Sequence, residues 1–143
     1  MFRKILLGTF CITQISLLQA TAVTENPVPK IHYSQEKLPK SVIIKTKKFK
    51  IKIDQQPDGK YLYQSWPANG KITSKPSMII SGGELIPDGS GGNYYFEFSN
   101  EGYTYQVWRN YLTDSAKKAP YTLTVEDQNG KTIVSQDGFV VKY

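Results

Sequence analysis

The stretch from Tyr94 to Trp108, YYFEFSNEGYTYQVW, decides the fold expected for this chain. On both sides of the segment Ser99–Gly102, large apolar residues occupy every second position, and this period of two predicts β-strands. The small and polar residues of Ser99–Gly102 are typical of a tight turn, so the stretch predicts a β-hairpin. The more apolar set of alternating side chains is expected to face the core: Tyr94, Phe96 and Phe98.

Similar alternating segments recur at regular spacing between turn signals along the rest of the chain. Near the C-terminus, Asn129–Gly130 is the strongest hairpin signal and predicts a type I′ turn, with positive φ at both residues. The chain shows no convincing helical period. It is therefore expected to be all-β, with a single antiparallel β-sandwich or barrel of about eight strands spanning residues 41–143.

The N-terminal segment Met1–Ala22 has the pattern of a secretory signal peptide. Arg3 and Lys4 precede a short apolar run, and the run ends in the small-residue segment Ala20–Ala22. A transmembrane anchor is less consistent with the sequence because the run is short and polar residues interrupt it. We therefore expect an exported protein, periplasmic or secreted, with no transmembrane segment after cleavage. Residues 23–40, which carry prolines and lysines, are predicted to form a basic flexible arm before the β domain.

Reactive side chains are scarce in this chain. Its one cysteine, Cys11, would leave with the signal peptide, and its one histidine, His32, lies in the predicted arm. These positions argue against thiol chemistry, a Ser-His-Asp triad and a histidine metal site. The sequence therefore predicts a non-enzymatic protein with no cofactor and no metal site.

Positive charge is concentrated at the front of the predicted mature chain. Between Val23 and Lys60, nine lysines accompany four acidic residues, whereas the rest of the chain is nearly balanced. Three of the lysines alternate along one predicted strand and would attract an envelope protein, a polysaccharide or another anionic surface. Their alternative role is protection of a sheet edge. The strand lacks the aromatic residues that sheets use to stack nucleic-acid bases, which argues against nucleic acid. The three lysines are Lys48, Lys50 and Lys52.

Two further groups are candidate contact residues. Asp88 and Asn93 lie in a glycine-rich loop, predicted to span Pro87–Asn93, that is expected to shape specificity for a partner. Calcium binding is disfavoured because Asp88 is the only acid in the loop, and the alternative is a merely flexible connection. Tyr95 and Trp108 are expected to face outward on adjacent strands, where an aromatic platform would stack against a sugar ring. Their alternative role is to stabilise the sheet as a cross-strand pair.

Together these observations predict an exported, non-enzymatic binding or interaction domain that acts in the cell envelope or outside the cell. Its partner would be a protein or an anionic polymer. One alternative is a carbohydrate-binding module that uses the exposed aromatic residues. Another is a small hydrolase that uses paired carboxylates such as Glu97 with Glu101, or Glu126 with Asp127. The sequence leaves the identity of the partner and the oligomeric state open.

Overall fold

The alternation of apolar and polar side chains produces eight strands in the computed structural model of the protein, which describes residues 38–143. The predicted signal peptide and all but the last three residues of the predicted arm lie outside the described residues. Within residues 38–143 there is no helix, so no helix has the length and apolarity of a membrane span. The strands are β1 (Ser41–Thr46), β2 (Phe49–Gln55), β3 (Tyr61–Pro67), β4 (Met78–Asp88), β5 (Asn93–Asn100), β6 (Tyr103–Arg109), β7 (Tyr121–Glu126) and β8 (Thr132–Val140).

The strands form a closed antiparallel barrel with the simplest possible order. Each strand pairs with the next along the chain, and β8 returns to pair with β1. The predicted all-β class and the number of strands are confirmed. Of the two architectures that the sequence left open, the structure is the barrel.

Large side chains from all eight strands contribute to or pack against the core of the barrel. Phe96 and Phe98 are fully buried, as the alternation on β5 predicts. The ring of Tyr61 meets Phe96 edge-on at 4.8 Å, and Tyr63 lies 5.4 Å from Phe98. The packing is tight enough that a Cβ at residue 83 would overlap the ring of Phe98, which explains the glycine there. Side chains fill an eight-stranded barrel of this kind, so its outer surface is the place to look for function.

Two hairpin turns show how the sequence sets local geometry. Between β5 and β6, Glu101 and Gly102 both have positive φ, 51° and 82°, which is the signature of a type I′ turn. The predicted type I′ turn at Asn129–Gly130 is wrong, because only Gly130 has positive φ there. The hairpin itself exists, but the Asp127 carboxylate accepts hydrogen bonds from the backbone N–H groups of Asn129 and Lys131, at 2.9 and 3.0 Å. This side chain organises a longer loop that the final glycine closes.

The glycine-rich loop is shorter than the sequence suggested. The segment 87–93 was expected to be a loop, but β4 continues to Asp88 and β5 begins at Asn93. Only residues 89–92 remain as the connection. The register of β4 shifts opposite Tyr61 and Tyr63, close to Gly82, whose φ is +75°. This irregularity lets one long strand replace the two short apolar runs seen in the sequence.

Candidate functional site

The barrel separates the predicted contact residues into two groups on opposite sides. Lys50 and Lys52 lie on β2, whereas Tyr95 and Trp108 lie on β5 and β6. Strands β2 and β6 are four strands apart in a closed barrel of eight. No single ligand-sized site therefore includes both groups.

The first group belongs to a larger surface that we call the basic face. Strand β1, strand β2 and the short turn between them carry five lysines within eight residues. Cross-strand pairing places Lys45 directly beside Lys50. Three of the five, Lys45, Lys47 and Lys48, are exposed. The basic face consists of Lys45, Lys47, Lys48, Lys50 and Lys52.

The three predicted lysines have different surroundings on the basic face. Lys48 lies in the turn before β2, so only Lys50 and Lys52 stand on the strand. The Lys50 ammonium donates a hydrogen bond to the carbonyl oxygen of Gly70 at 2.7 Å, and it lies 5.8 Å from the centre of the Tyr143 ring. The Lys52 ammonium forms an ion pair with the Asp54 carboxylate at 2.8 Å. Of these three lysines, Lys52 is therefore the one whose charge is compensated by a carboxylate.

A groove runs along the seam where the barrel closes. Strands β1 and β8 share only three residue pairs, whereas β2 and β3 share seven. The groove has a volume of about 620 Å³ and is bordered by lysines on one side and by apolar side chains of the last strand on the other. Phe139 is 58% exposed in it, which is unusual for a phenylalanine. Its lining residues are Lys45, Thr46, Lys47, Ser135, Gln136, Asp137, Phe139, Val140 and Val141.

The Gln136 side chain links β8 to β1 and to the turn after it, beyond the last residue pair of the two strands. The Gln136 Oε1 atom accepts hydrogen bonds from the Thr46 hydroxyl at 2.9 Å and from the backbone N–H of Lys48 at 3.1 Å. The buried Thr46 hydroxyl also accepts a hydrogen bond from the backbone N–H of Phe49 at 3.0 Å. These contacts fix the turn of the basic face against β8 where the backbone ladder has already ended.

The second group begins with the glycine-rich loop. Asp88 and Asn93 are cross-strand partners at the end of β4 and β5. The Asn93 amide oxygen accepts hydrogen bonds from the backbone N–H groups of Tyr111 and Leu112, at 2.8 and 2.7 Å, and its amide nitrogen donates to the Leu112 carbonyl at 2.8 Å. Asn93 therefore acts as a clamp on the segment after β6. Asp88 remains exposed beside it.

Tyr95 and Trp108 form a stacked pair on the outer surface. They are direct cross-strand partners, with ring centres 4.2 Å apart and planes inclined by 26°. The Trp108 indole N–H lies 3.2 Å from the Gln106 Oε1 atom and 3.3 Å from the Thr124 hydroxyl. Each ring stacks one face on the other and both side chains are half-buried, so at most one face of each ring remains for a ligand.

Two of the four carboxylates considered for hydrolysis, Glu97 and Asp127, make contacts that stabilise the barrel. Glu97 accepts a hydrogen bond from the Gln106 side chain at 2.8 Å, and Asp127 builds the turn between β7 and β8. Glu84, the cross-strand neighbour of Glu97, is paired with the Lys60 ammonium, which holds the pKa of the Glu84 carboxyl below its usual value. That shift is opposite to the one that a general acid needs.

Two features of the surface were not found from the sequence. Phe139 lies beside Lys45 because β8 pairs with β1, a contact that no local pattern predicts. Arg109 lies between two rings, 5.5 Å from the centre of Tyr111 and 5.2 Å from that of Tyr121. The signal for Arg109 was available, because it is the only arginine after the predicted signal peptide and tyrosines lie close to it in sequence.

Comparison of the chain with protein-family models, with curated proteins and with solved structures gives no significant match. Function therefore has to be inferred from the chemistry of the surface.

Proposed function

We propose that this chain is an exported, non-enzymatic binding protein that captures an acidic partner, either a protein or an anionic polymer, on its basic face. The observation that carries this proposal is the concentration of five lysines on β1, β2 and their turn. Two carboxylates lie near these lysines: Asp54 forms an ion pair with Lys52, and Asp137 lines the seam groove. A surface with such an excess of one charge accelerates encounter with oppositely charged partners and favours their binding.

The contents of the barrel support a role for the outer surface. Many eight-stranded barrels hold a small ligand inside. Here the interior is occupied by aromatic and branched side chains, among them Tyr63, Phe96 and Phe98. In residues 38–143, all the buried side-chain nitrogen and oxygen atoms have hydrogen-bond partners. The described interior therefore offers no unsatisfied side-chain nitrogen or oxygen atom to a polar ligand, and the basic face is the better binding surface.

The test is charge reversal at the three exposed lysines of the basic face, in the variant Lys45→Glu/Lys47→Glu/Lys48→Glu. This variant leaves the contacts of Lys50 and Lys52 in place. We expect it to elute from a heparin column and from an immobilised polyglutamate column at clearly lower salt than the parent protein. The reason is that each lysine lost from the contact reduces the number of counterions released on binding.

The matched control reverses three exposed lysines elsewhere, in the variant Lys117→Glu/Lys118→Glu/Lys131→Glu. It has the same net charge as the first variant but keeps the basic face. We expect its elution to stay close to that of the parent. Equal loss of retention in both variants would show that net charge acts without a defined site and would refute the proposal.

A second candidate function is carbohydrate binding at Tyr95 and Trp108, which the stacked geometry and the neighbouring polar groups favour. The chain has two tryptophans, and the other, Trp66, is buried with its indole N–H donating to the Ser74 carbonyl oxygen at 2.9 Å. In a Trp66→Phe background, the fluorescence of Trp108 alone should shift on titration with a bound glycan. A broad panel of glycans without any shift would rule out this function.

A further inference from the structure

The last strand extends well beyond its pairing with the first. β8 begins at Thr132, yet only residues 138–140 pair with β1. Of residues 132–137, all but Ile133, where the register shifts, pair with β7 on one side, and in the part of the chain that the structure describes none of the six pairs with a strand on the other. At about 3.3 Å per residue, this open edge is about 20 Å long. Such an edge presents unpaired backbone groups that can template another strand.

The direction of the free backbone groups follows from the ladder. The N–H of Val141 donates to the Ile43 carbonyl oxygen at 2.9 Å, so these two residues form a hydrogen-bonded pair that continues the β1–β8 ladder. In an antiparallel ladder, such pairs recur at every second residue, and the residues between them point their backbone groups the other way. Ser135 and Asp137 therefore direct their backbone N–H and C=O groups away from β7. That direction is toward the groove at the seam.

The side chains beside the open edge of β8 favour a particular composition of the added strand. Lys45 and Lys47 border the groove, and Asp137 is the one carboxylate among its lining residues. On the outer surface of the same strand, Ile133 and Phe139 are 51% and 58% exposed. An extended segment with acidic and apolar side chains complements both features. A second copy of this chain would bring its own lysines to the seam, where like charges repel.

We propose that the Ser135–Asp137 edge of β8 accepts an extended acidic segment of a protein partner as an added strand. This inference rests on the proposed function and narrows its partner to a polypeptide. The lysines of the basic face attract the segment, and main-chain hydrogen bonds to the edge hold it in register. A polysaccharide has no repeating amide backbone and cannot make the second interaction.

The experiment uses the full chain and three probes: an acetylated octapeptide of alternating glutamate and valine, the same peptide with alternate backbone nitrogens methylated on the bonding edge, and heparin. Amide hydrogen exchange at Ser135 and Asp137 is followed by NMR. We expect the first peptide to slow exchange at both amides at least tenfold. The methylated peptide should bind at least tenfold more weakly, because it lacks donors on the edge it presents.

A variant of the protein tests the same contact from the other side. Ser135→Pro removes a backbone donor on the open edge, where proline is tolerated in sheets, and should weaken the unmethylated peptide at least tenfold while heparin binding stays unchanged. Ser135→Ala is the control that keeps the donor, and its peptide affinity should match that of the parent. If Ser135→Pro does not fold, the comparison of the two peptides on the parent protein still decides the question.

The outcomes separate this inference from the proposed function. Peptide binding that leaves the Ser135 and Asp137 amides unprotected overturns strand addition, while the basic face remains a binding surface if heparin binds and the lysine reversals weaken it. Protection of these amides on raising the protein concentration, without peptide, overturns it in favour of a second copy as the occupant. Failure of both peptide and heparin to bind overturns the proposed function as well.

Discussion

Two neighbouring-strand contacts in the same barrel are built very differently. Strands β5 and β6 share seven residue pairs, a type I′ turn and a stacked aromatic pair, Tyr95 with Trp108. Strands β1 and β8 share three pairs, and the Gln136 side chain replaces the ladder above them. The first contact is formed by residues close in sequence, and its backbone ladder is continuous along both strands. The second contact closes the barrel between its first and last strands and leaves backbone groups of β8 unpaired, and this is the edge where we propose that a partner binds.

The largest effect should come from the interior on the β5 side. Phe98 is 1% exposed and contacts Tyr63, so Phe98→Ala should lower the free energy of unfolding by about 3–5 kcal/mol. Urea denaturation measures this loss. Tyr103→Ala, at a partly exposed position near the adjoining turn, is the control and should cost far less. Similar costs for both variants would show that this side of the barrel is no better packed than its surface.

Alkaline pH should destabilise the barrel through the same interior and not through the seam. Burial raises the pKa of the Tyr63 hydroxyl from 10.0 to about 12, even though a hydrogen bond with Ser65 lowers it. Because the pKa is raised in the folded state, the stabilisation is complete below pH 10 and is lost as the pH rises toward 12. The loss should be on the order of 2 kcal/mol. Between pH 9 and about 12, the free energy of unfolding should fall less steeply with pH in Tyr63→Phe than in the parent protein. The same pH dependence in both proteins would contradict this role of Tyr63.

Removing the side chain that bridges the seam should have a smaller and local effect. Gln136→Ala removes the acceptor of the Lys48 backbone N–H and the nearer of the two acceptors of the Thr46 hydroxyl, at a cost of about 1–2 kcal/mol. Hydrogen exchange should accelerate in β1 and β8 and stay unchanged in β5 and β6. Ser135→Ala on the same strand is the control, with little effect expected. Uniform acceleration around the barrel would mean that the seam is not an independent weak point.

The smallest effect separates the two contacts by their side-chain pairs. A double-mutant cycle on Tyr95 and Trp108 should give a coupling of about 0.5–1.5 kcal/mol, as stacked aromatic rings do. The corresponding cycle on Lys45 and Phe139, which are cross-strand partners at the seam, should give a coupling near zero because both side chains are exposed. Equal couplings would remove the distinction between the two contacts.

Local patterns predicted the local parts of this structure well. The alternation around Tyr94–Trp108 correctly predicted a hairpin, the burial of Phe96 and Phe98, and the adjacency of the two outer aromatic residues. The type I′ expectation at Asn129 failed because the Asp127 carboxylate offered its backbone a competing set of hydrogen bonds. The lysine run was recognised, but the ion pair of Lys52 was not, since no pattern specifies which way a long side chain turns.

What the sequence did not reveal is long-range. The proximity of Phe139 to Lys45, and with it the seam groove, exists only because the first and last strands meet. Alternation assigns a side chain to a face but does not say which strands become neighbours when the sheet closes. The choice between sandwich and barrel stayed open for the same reason.

The bridge from Gln136 to Thr46 spans 90 positions of the chain and lies beside the β1–β8 ladder, whereas every other strand pairing in the barrel joins consecutive strands. Hairpins can therefore form early, and ring closure has to come last because of its loop entropy. In a chain that is synthesised from the N-terminus, one edge of the strand Ser41–Thr46 stays unpaired until β8 has been made. The lysines on either side of that segment should reduce aggregation during this time, because charged residues beside an unpaired apolar strand oppose its association with other chains.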